Sequence, residues 1–94
     1  MEFLVHFDTS GVFALPAAER GDLIKREQVR GRELMSEGVI RHLWSLAGQQ
    51  GNVGIWAAED ADELEAALTS LPIRPYVDIE VTPLATHPLT AQVS

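Results

Sequence analysis

The chain has 94 residues, of which 46% are hydrophobic, so it can form one domain with one modest core. It contains no cysteine, which excludes disulfides, zinc–thiolate sites and cysteine nucleophiles. The formal charge of −7 opposes binding to nucleic-acid phosphates. No apolar run reaches the ~20 residues that cross a bilayer, and the N-terminus does not resemble a signal peptide. We therefore expect a cytoplasmic, soluble protein.

The first half of the chain alternates between strand and helix patterns. Residues 2–8 alternate in the way that is typical of a β-strand. Residues 17–37 are rich in helix formers and are followed by Gly38, a common helix stop, so we predict one long helix. Residues 39–47 and 52–58 then predict an antiparallel hairpin with a four-residue connection.

The second half predicts one more helix and one more strand. Asp60, with a glutamate three residues later, matches a capping box that begins a helix, and Pro72 ends that helix. Residues 75–82 alternate as a fourth strand, and residues 83–94 form a loop or an arm. The order β-α-β-β-α-β predicts a single ferredoxin-like α+β domain over residues 1–94. Its four-stranded antiparallel sheet should carry two helices on one face.

Alternation also predicts which strand residues face the helices. The expected core set is apolar throughout and comprises Phe3, Val5, Phe7, Val53, Ile55, Val77, Ile79 and Val81. Trp56 falls in the opposite set, and the register of the second strand stays open. Since a small core does not easily bury both Trp44 and Trp56, we expect the open sheet face to pair with a second copy. The alternative is that one tryptophan packs under a helix and the other under the tail.

Glu27 is the candidate for acid–base chemistry. It lies in the first predicted helix among four basic residues, Lys25, Arg26, Arg30 and Arg32. A carboxylate among cations tends to stay ionised and can act as a base. The alternative is a solvent-exposed helix face with ion pairs such as Glu27 with Arg30, and periodicity alone favours this alternative.

His42 is open to two interpretations of the same kind. It is either a functional imidazole or a packed, hydrogen-bonded residue of the second strand. His6, His42 and His87 lack the spacing of metal ligands, and the glycines near Gly51 do not form a phosphate loop. We therefore expect chemistry without a metal or a cofactor.

Two blocks of sequence are more specific than these patterns. One is RHLWSLAG at 41–48, with Asn52 four residues later, and the other is LPIRPYVDIEV at 71–81, followed by His87 and a proline. An HLW segment leading to a glycine turn and an asparagine, then Leu-Pro-x-x-Pro-Tyr and a late His-Pro, resembles the muconolactone Δ-isomerase family. The resemblance runs from about residue 2 to about residue 88.

The resemblance implies a ferredoxin-like subunit that pairs through its sheet and assembles further, with a decamer as the family expectation. It implies a cofactor-free shift of a double bond in muconolactone, which gives 3-oxoadipate enol-lactone in catechol breakdown. By the same resemblance, Glu27 is the proton shuttle and His42 orients the lactone. A cation should hold the substrate carboxylate.

Six residues are candidates for substrate binding: Lys25, Arg41, Trp44, Asn52, Arg74 and Tyr76. The resemblance implies that Asn52 hydrogen-bonds the lactone. The chain departs from the family at three places. Ile24 stands where the family often has lysine, and Gln49-Gln50-Gly51 stands where an aromatic residue is usual. Arg74 replaces an apolar or aromatic residue and could supply the missing cation. These departures leave two alternatives, a non-catalytic dimeric module or another cofactor-free enzyme such as a monooxygenase or a chloro-lactone dehalogenase.

Overall fold

The computed structural model describes residues 1–91, so the last three residues of the predicted arm lie outside the described part. The elements in chain order are β1 Glu2–Asp8, α1 Ser10–Phe13, α2 Ala17–Ser36, β2 Ile40–Ser45, β3 Gly51–Ala57, α3 Ala61–Thr69, β4 Asp78–Leu84 and α4 Pro88–Ala91. The sheet is antiparallel throughout, with strand order β2-β3-β1-β4. This confirms the predicted ferredoxin-like α+β fold. Within the described residues, no helix is long and apolar enough to cross a membrane.

The signals predicted from the sequence mark the end of α2 and the start of α3. α2 stops before Gly38, whose φ of +78° lies in the left-handed region that favours glycine. The next N–H, that of Val39, returns to the carbonyl oxygen of Leu34 at 2.9 Å. α3 begins after Asp60, whose side chain accepts the N–H of Glu63 at 2.8 Å. The predicted cap at Asp60 is therefore confirmed.

Both ends of β4 and the end of β2 differ from the prediction. Residues 74–76 form a 3₁₀ turn in which Tyr76 donates its N–H to the carbonyl oxygen of Ile73 at 2.8 Å. β4 therefore begins at Asp78 rather than at residue 75, and it continues to Leu84, past the predicted start of the arm. In the hairpin, β2 already ends at Ser45, so the connection to β3 is longer than the predicted four residues.

The predicted faces of β3 are reversed. β1 pairs with β3 so that Phe3 lies opposite Trp56 and Val5 lies opposite Gly54, and paired residues point to the same side of a sheet. Trp56 is only 1% exposed and belongs to the core under the helices. Val53 and Ile55 therefore point to the open face, and their assignment to the core was wrong. Alternation could not decide the face because both sets are free of charge.

The open face carries an apolar and aromatic cluster. Pairing of β2 with β3 places His42 beside Ile55 and Trp44 beside Val53, while Leu4 lies opposite Ile55 on the other side. The rings of His42 and Trp44 stack with centroids 5.5 Å apart, and Trp44 is 53% exposed. We call Leu4, His42, Trp44, Val53 and Ile55 the open-face patch.

A pair of glycine-to-alanine changes tests the packing of the sheet. A Cβ added at Gly54 would lie 2.6 Å from the carbonyl oxygen of His42, whereas a Cβ at Gly21 in α2 would meet nothing within 4 Å. Gly54→Ala should therefore lower the free energy of unfolding by about 1–3 kcal/mol. Gly21→Ala should raise it by roughly 0.5–1 kcal/mol because alanine favours the helix. Denaturant unfolding measures both, and equal effects would contradict this account of Gly54.

Candidate active site

A cavity of about 750 Å³ opens between α2 and the helix side of the sheet. Its size lies within the range of roughly 300–1,000 Å³ that is usual for small-molecule sites. Residues of β1, α1, α2, β2, the hairpin connection, β3 and the segment after α3 form its wall: Phe7, Thr9, Val12, Phe13, Ile24, Glu27, Gln28, Gly31, Arg32, Met35, Ile40, Leu43, Ser45, Gln49, Gln50, Gly51, Asn52, Trp56, Leu71 and Ile73.

Glu27 is the acidic residue of this wall. It is half-buried, and its Oε1 accepts the backbone N–H of Ile73 at 3.2 Å, across 46 positions of the sequence. Burial raises the pKa of the Glu27 carboxyl above its ordinary value, and the hydrogen bond from Ile73 lowers it by less. Glu27 therefore has the environment of a carboxyl whose charged form is poorly solvated, which suits a group that exchanges protons.

The expectation that neighbouring cations keep the Glu27 carboxylate ionised is wrong. Arg26 pairs with Asp22 at 3.0 Å, and Arg30 pairs with Glu33 at 3.7 Å and donates to the Oγ of Ser70 at 2.9 Å. Glu27 has no salt bridge among the described residues. The interpretation of Glu27 as part of a solvent-exposed, ion-paired helix face is therefore wrong as well.

Arg32 is the basic residue of the cavity wall, and the sequence did not single it out. It follows Glu27 by five positions in α2, which places it about 140° further around the helix axis and ~7.5 Å further along it. It forms no salt bridge within the described part of the chain. Its guanidinium is therefore available to an anionic ligand group in the cavity. In the sequence, Arg32 is one of four cations near Glu27 and nothing distinguishes it.

Asn52 and Trp56 bring unpartnered polar atoms to the same wall. Asn52 Oδ1 and Trp56 Nε1 are both buried, and neither has a hydrogen-bond partner among residues 1–91. A buried polar atom without a partner is unfavourable by about 1–3 kcal/mol, so such atoms usually meet a water or a ligand. The structure thus brings the predicted Asn52 to the cavity, and it adds Trp56, which sequence alternation had placed on the other face.

The other six predicted residues do not line the cavity of their own chain, and four of them lie on the strand β2 or on α2. His42 and Trp44 point to the open face because the register shift between Ile40 and His42 turns this part of β2. Lys25 is exposed, since it lies one position, or about 100°, from Ile24 on the helix. Arg41 is exposed at the register shift itself.

Arg74 and Tyr76, which belong to the 3₁₀ turn after α3, are also absent from the cavity wall. Arg74 Nη2 forms a salt bridge with Oε1 of Glu65 at 2.8 Å, so its charge is already paired. Tyr76 is 43% exposed. Arg74 therefore does not supply the missing cation within this chain, and Arg32 occupies the only basic position that the cavity wall has in the described residues.

Comparison with known proteins identifies the family. The family model described as muconolactone delta-isomerase matches residues 1–90. The muconolactone Delta-isomerase of Cupriavidus pinatubonensis is 38% identical, with 94% of this chain and 96% of the relative covered. That of Acinetobacter baylyi is 34% identical, with 94% and 92% covered. The chain belongs to the muconolactone Δ-isomerase family.

A solved structure of the family agrees with the fold. The crystal structure of a muconolactone isomerase superposes with a TM-score of 0.82 at 34% identity and covers 94% of this chain and 92% of its own. The resemblance seen in the two sequence blocks is therefore confirmed, and so is the prediction of an isomerase-type enzyme. The roles of the individual residues stay predictions.

Replacing Glu27 with glutamine in this muconolactone Δ-isomerase family member should stabilise the fold in a pH-dependent way. Because burial raises the native pKa above the ordinary 4.5, the ionised carboxylate destabilises the native state as pH rises through that raised pKa. Below pH 4.5 the carboxyl is protonated in both states and the penalty is absent. The melting temperature of Glu27→Gln should therefore exceed that of the parent at pH 7.5 by more than at pH 4. Glu59→Gln, at an exposed position, is the control, and an equal pH dependence of both variants would contradict the burial effect.

Proposed function

We propose that this protein isomerises muconolactone, or a closely related lactone carboxylate, to the corresponding enol-lactone in the breakdown of aromatic compounds. The observation that carries the proposal is the desolvated carboxyl of Glu27 on the wall of a ligand-sized cavity. Family membership supports the reaction type. We place the reaction in the cytoplasm. The reaction only moves a proton within the substrate, so it needs neither an oxidant nor a reductant.

Glu27 removes the proton and returns it. Its carboxylate takes a proton from the ring carbon that bears the side chain, and the electrons of that C–H bond form a new C=C bond. The original double bond shifts toward the lactone carbonyl, and the negative charge collects on the carbonyl oxygen. Glu27 then gives the proton to the carbon beside the carbonyl, the C=O bond re-forms, and the negative charge is again on the Glu27 carboxylate. A carboxyl whose pKa is raised toward the working pH serves both steps, since it is a stronger base and still a usable acid.

Arg32 and Asn52 bind and orient the substrate in this proposal. Arg32 supplies the positive charge for the side-chain carboxylate of the lactone, the role for which Lys25, Arg41 and Arg74 were considered. Asn52 contributes the hydrogen bond that the resemblance implied. The proposed role of His42 requires contact with the cavity of another subunit, because His42 lies on the open face of its own.

The proposal predicts a large loss of turnover in Glu27→Gln. Glutamine keeps the size of the side chain and can accept the N–H of Ile73, but it cannot take a proton. With muconolactone as substrate, kcat should fall by roughly 10²–10⁴-fold. Glu59→Gln should keep the parental rate. A Glu27→Gln variant with full activity would refute Glu27 as the shuttle, and a parent protein without turnover would refute the proposed function.

Arg32→Gln should weaken substrate binding more than it slows the chemical step. A charge-assisted hydrogen bond is worth about 1.5–3 kcal/mol, so KM should rise by roughly 10- to 100-fold while kcat changes much less. Arg26→Gln is the control, because Arg26 lies on the same helix and is exposed beside Asp22. Initial rates over a range of lactone concentrations separate KM from kcat. An unchanged KM in Arg32→Gln would remove Arg32 from the site.

We further propose that a second copy of the chain covers the open-face patch and that pairs assemble into a decamer. Exposed aromatic residues such as Trp44 are typical of interface centres. In light scattering the parent should then have about ten times the subunit mass of 10.3 kDa.

Trp44→Glu should release smaller species, because it places a charge in the proposed interface. Val29→Glu is the control, since Val29 is exposed to a similar degree, 59% against 53% for Trp44, but lies on α2. Light scattering after gel filtration measures the mass of each variant. A parent protein that is monomeric at micromolar concentration would contradict the proposed pairing.

A further inference from the structure

We propose that the indole N–H of Trp56 donates a hydrogen bond to the lactone carbonyl oxygen, on which the negative charge collects during the proton transfer. This inference rests on the proposed isomerase function, and it assigns Trp56 as a catalytic residue. The hydrogen bond should strengthen as the charge develops, so it stabilises the transition state more than the bound substrate.

The indole nitrogen of Trp56 is buried and lacks an acceptor among the described residues. Trp56 is 1% exposed, and its Nε1 is buried without a hydrogen-bond partner among residues 1–91. Indole Nε1–H can only donate, so it requires an acceptor. A buried indole usually has one. Trp56 also lines the cavity, and a ligand oxygen in the cavity would be such an acceptor.

The indole of Trp56 extends along β3 toward Gly54. A Cβ built on Gly54 would lie 3.4 Å from Nε1, so the ring leans from Trp56 toward Gly54. The ring centroid also lies 6.0 Å from that of Phe7, whose strand partner is Asn52. The indole therefore extends toward the end of β3 where Asn52 lines the cavity. Gly54, which has no side chain, leaves the space that the ring occupies.

Trp56 and the proposed base line the same cavity from different elements. Glu27 belongs to α2 and Trp56 to the sheet, so the two residues form opposite walls of one cavity. A flat lactone ring between these walls can present its C–H bond to the carboxylate and its carbonyl oxygen to the indole. His42, to which the resemblance gave the task of orienting the lactone, points away from this cavity. Trp56 supplies the donor that His42 does not supply within its own chain.

Kinetics of Trp56→Phe test this assignment. Phenylalanine keeps an aromatic ring in the core but removes the N–H. We expect kcat to fall by roughly 10²–10³-fold, as for the loss of one oxyanion donor, while KM changes less than threefold. A purely structural role would instead lower the melting temperature and leave kcat of the folded protein nearly unchanged. Parental kcat in Trp56→Phe would overturn the inference.

The indole resonances test the hydrogen bond without a change at Trp56. Protein labelled with ¹⁵N-tryptophan should give two indole N–H signals, one from each tryptophan, and Trp44→Phe assigns them. Tetronate, a planar five-membered lactone with delocalised negative charge, serves as the probe. We expect tetronate to move the Trp56 N–H proton signal downfield by more than the Trp44 signal. A Trp56 signal that stays in place at saturating tetronate would overturn the inference, even if Trp56→Phe is slow.

The two proposals fail in different ways. A parent protein that does not turn over muconolactone contradicts the proposed function, whereas a downfield shift of Trp56 with tetronate would still support a donor to an anionic ring. A parent protein that turns over muconolactone, together with full activity in Trp56→Phe, contradicts only the assignment of Trp56.

Discussion

The hydrogen bond between the Glu27 carboxyl and the backbone N–H of Ile73 fixes the geometry of the site. It joins α2 to the segment after α3, two parts of the chain that are separated by 46 positions. It also holds a charged group in a place where water is scarce, so the pKa of Glu27 rises although this bond partly opposes the rise. The same contact therefore positions the carboxylate over the cavity and moderates the basicity that burial gives it.

The charged groups of the cavity wall are few and of opposite sign. One carboxylate, one guanidinium and two buried, unpartnered polar atoms lie on a wall that also carries many apolar side chains. In such surroundings each electrostatic contact is stronger than it would be in water, since the effective dielectric constant is lower. The arrangement suits a small anionic ligand with an additional hydrogen-bond acceptor. A proton-transfer reaction through an oxyanion has those requirements.

The sequence predicted the fold well because its signals are local. Asp60 caps a helix and Gly38 ends one, and each acts through its own backbone neighbours. The faces of β3 were predicted wrongly because neither Val53 nor Trp56 carries a charge that would mark the solvent side. Only the pairing of Phe3 with Trp56, which joins two strands that are far apart in the sequence, decides the face.

The candidate site was predictable only in part, since two of the eight predicted residues line the cavity of their own chain. These two are Glu27, a candidate from its charged neighbours to which the resemblance gave the shuttle role, and Asn52, which came from the resemblance. Arg32 could not be selected, because which of several helix cations faces a cavity depends on how α2 packs on the sheet. Trp56 could not be selected either, since its role depends on the space that Gly54 leaves beside the indole.

The central claim is that the Glu27 carboxyl is a poorly solvated base, and its own titration tests this most directly. Protein labelled with ¹³C at the glutamate side-chain carboxyl, compared with Glu27→Gln, identifies the resonance of Glu27. The account predicts a titration midpoint clearly above the ordinary 4.5, and a further rise when Ile73 is replaced by proline in a variant that still folds, because that change removes the N–H donor. A midpoint at or below 4.5 in the parent protein would contradict the account.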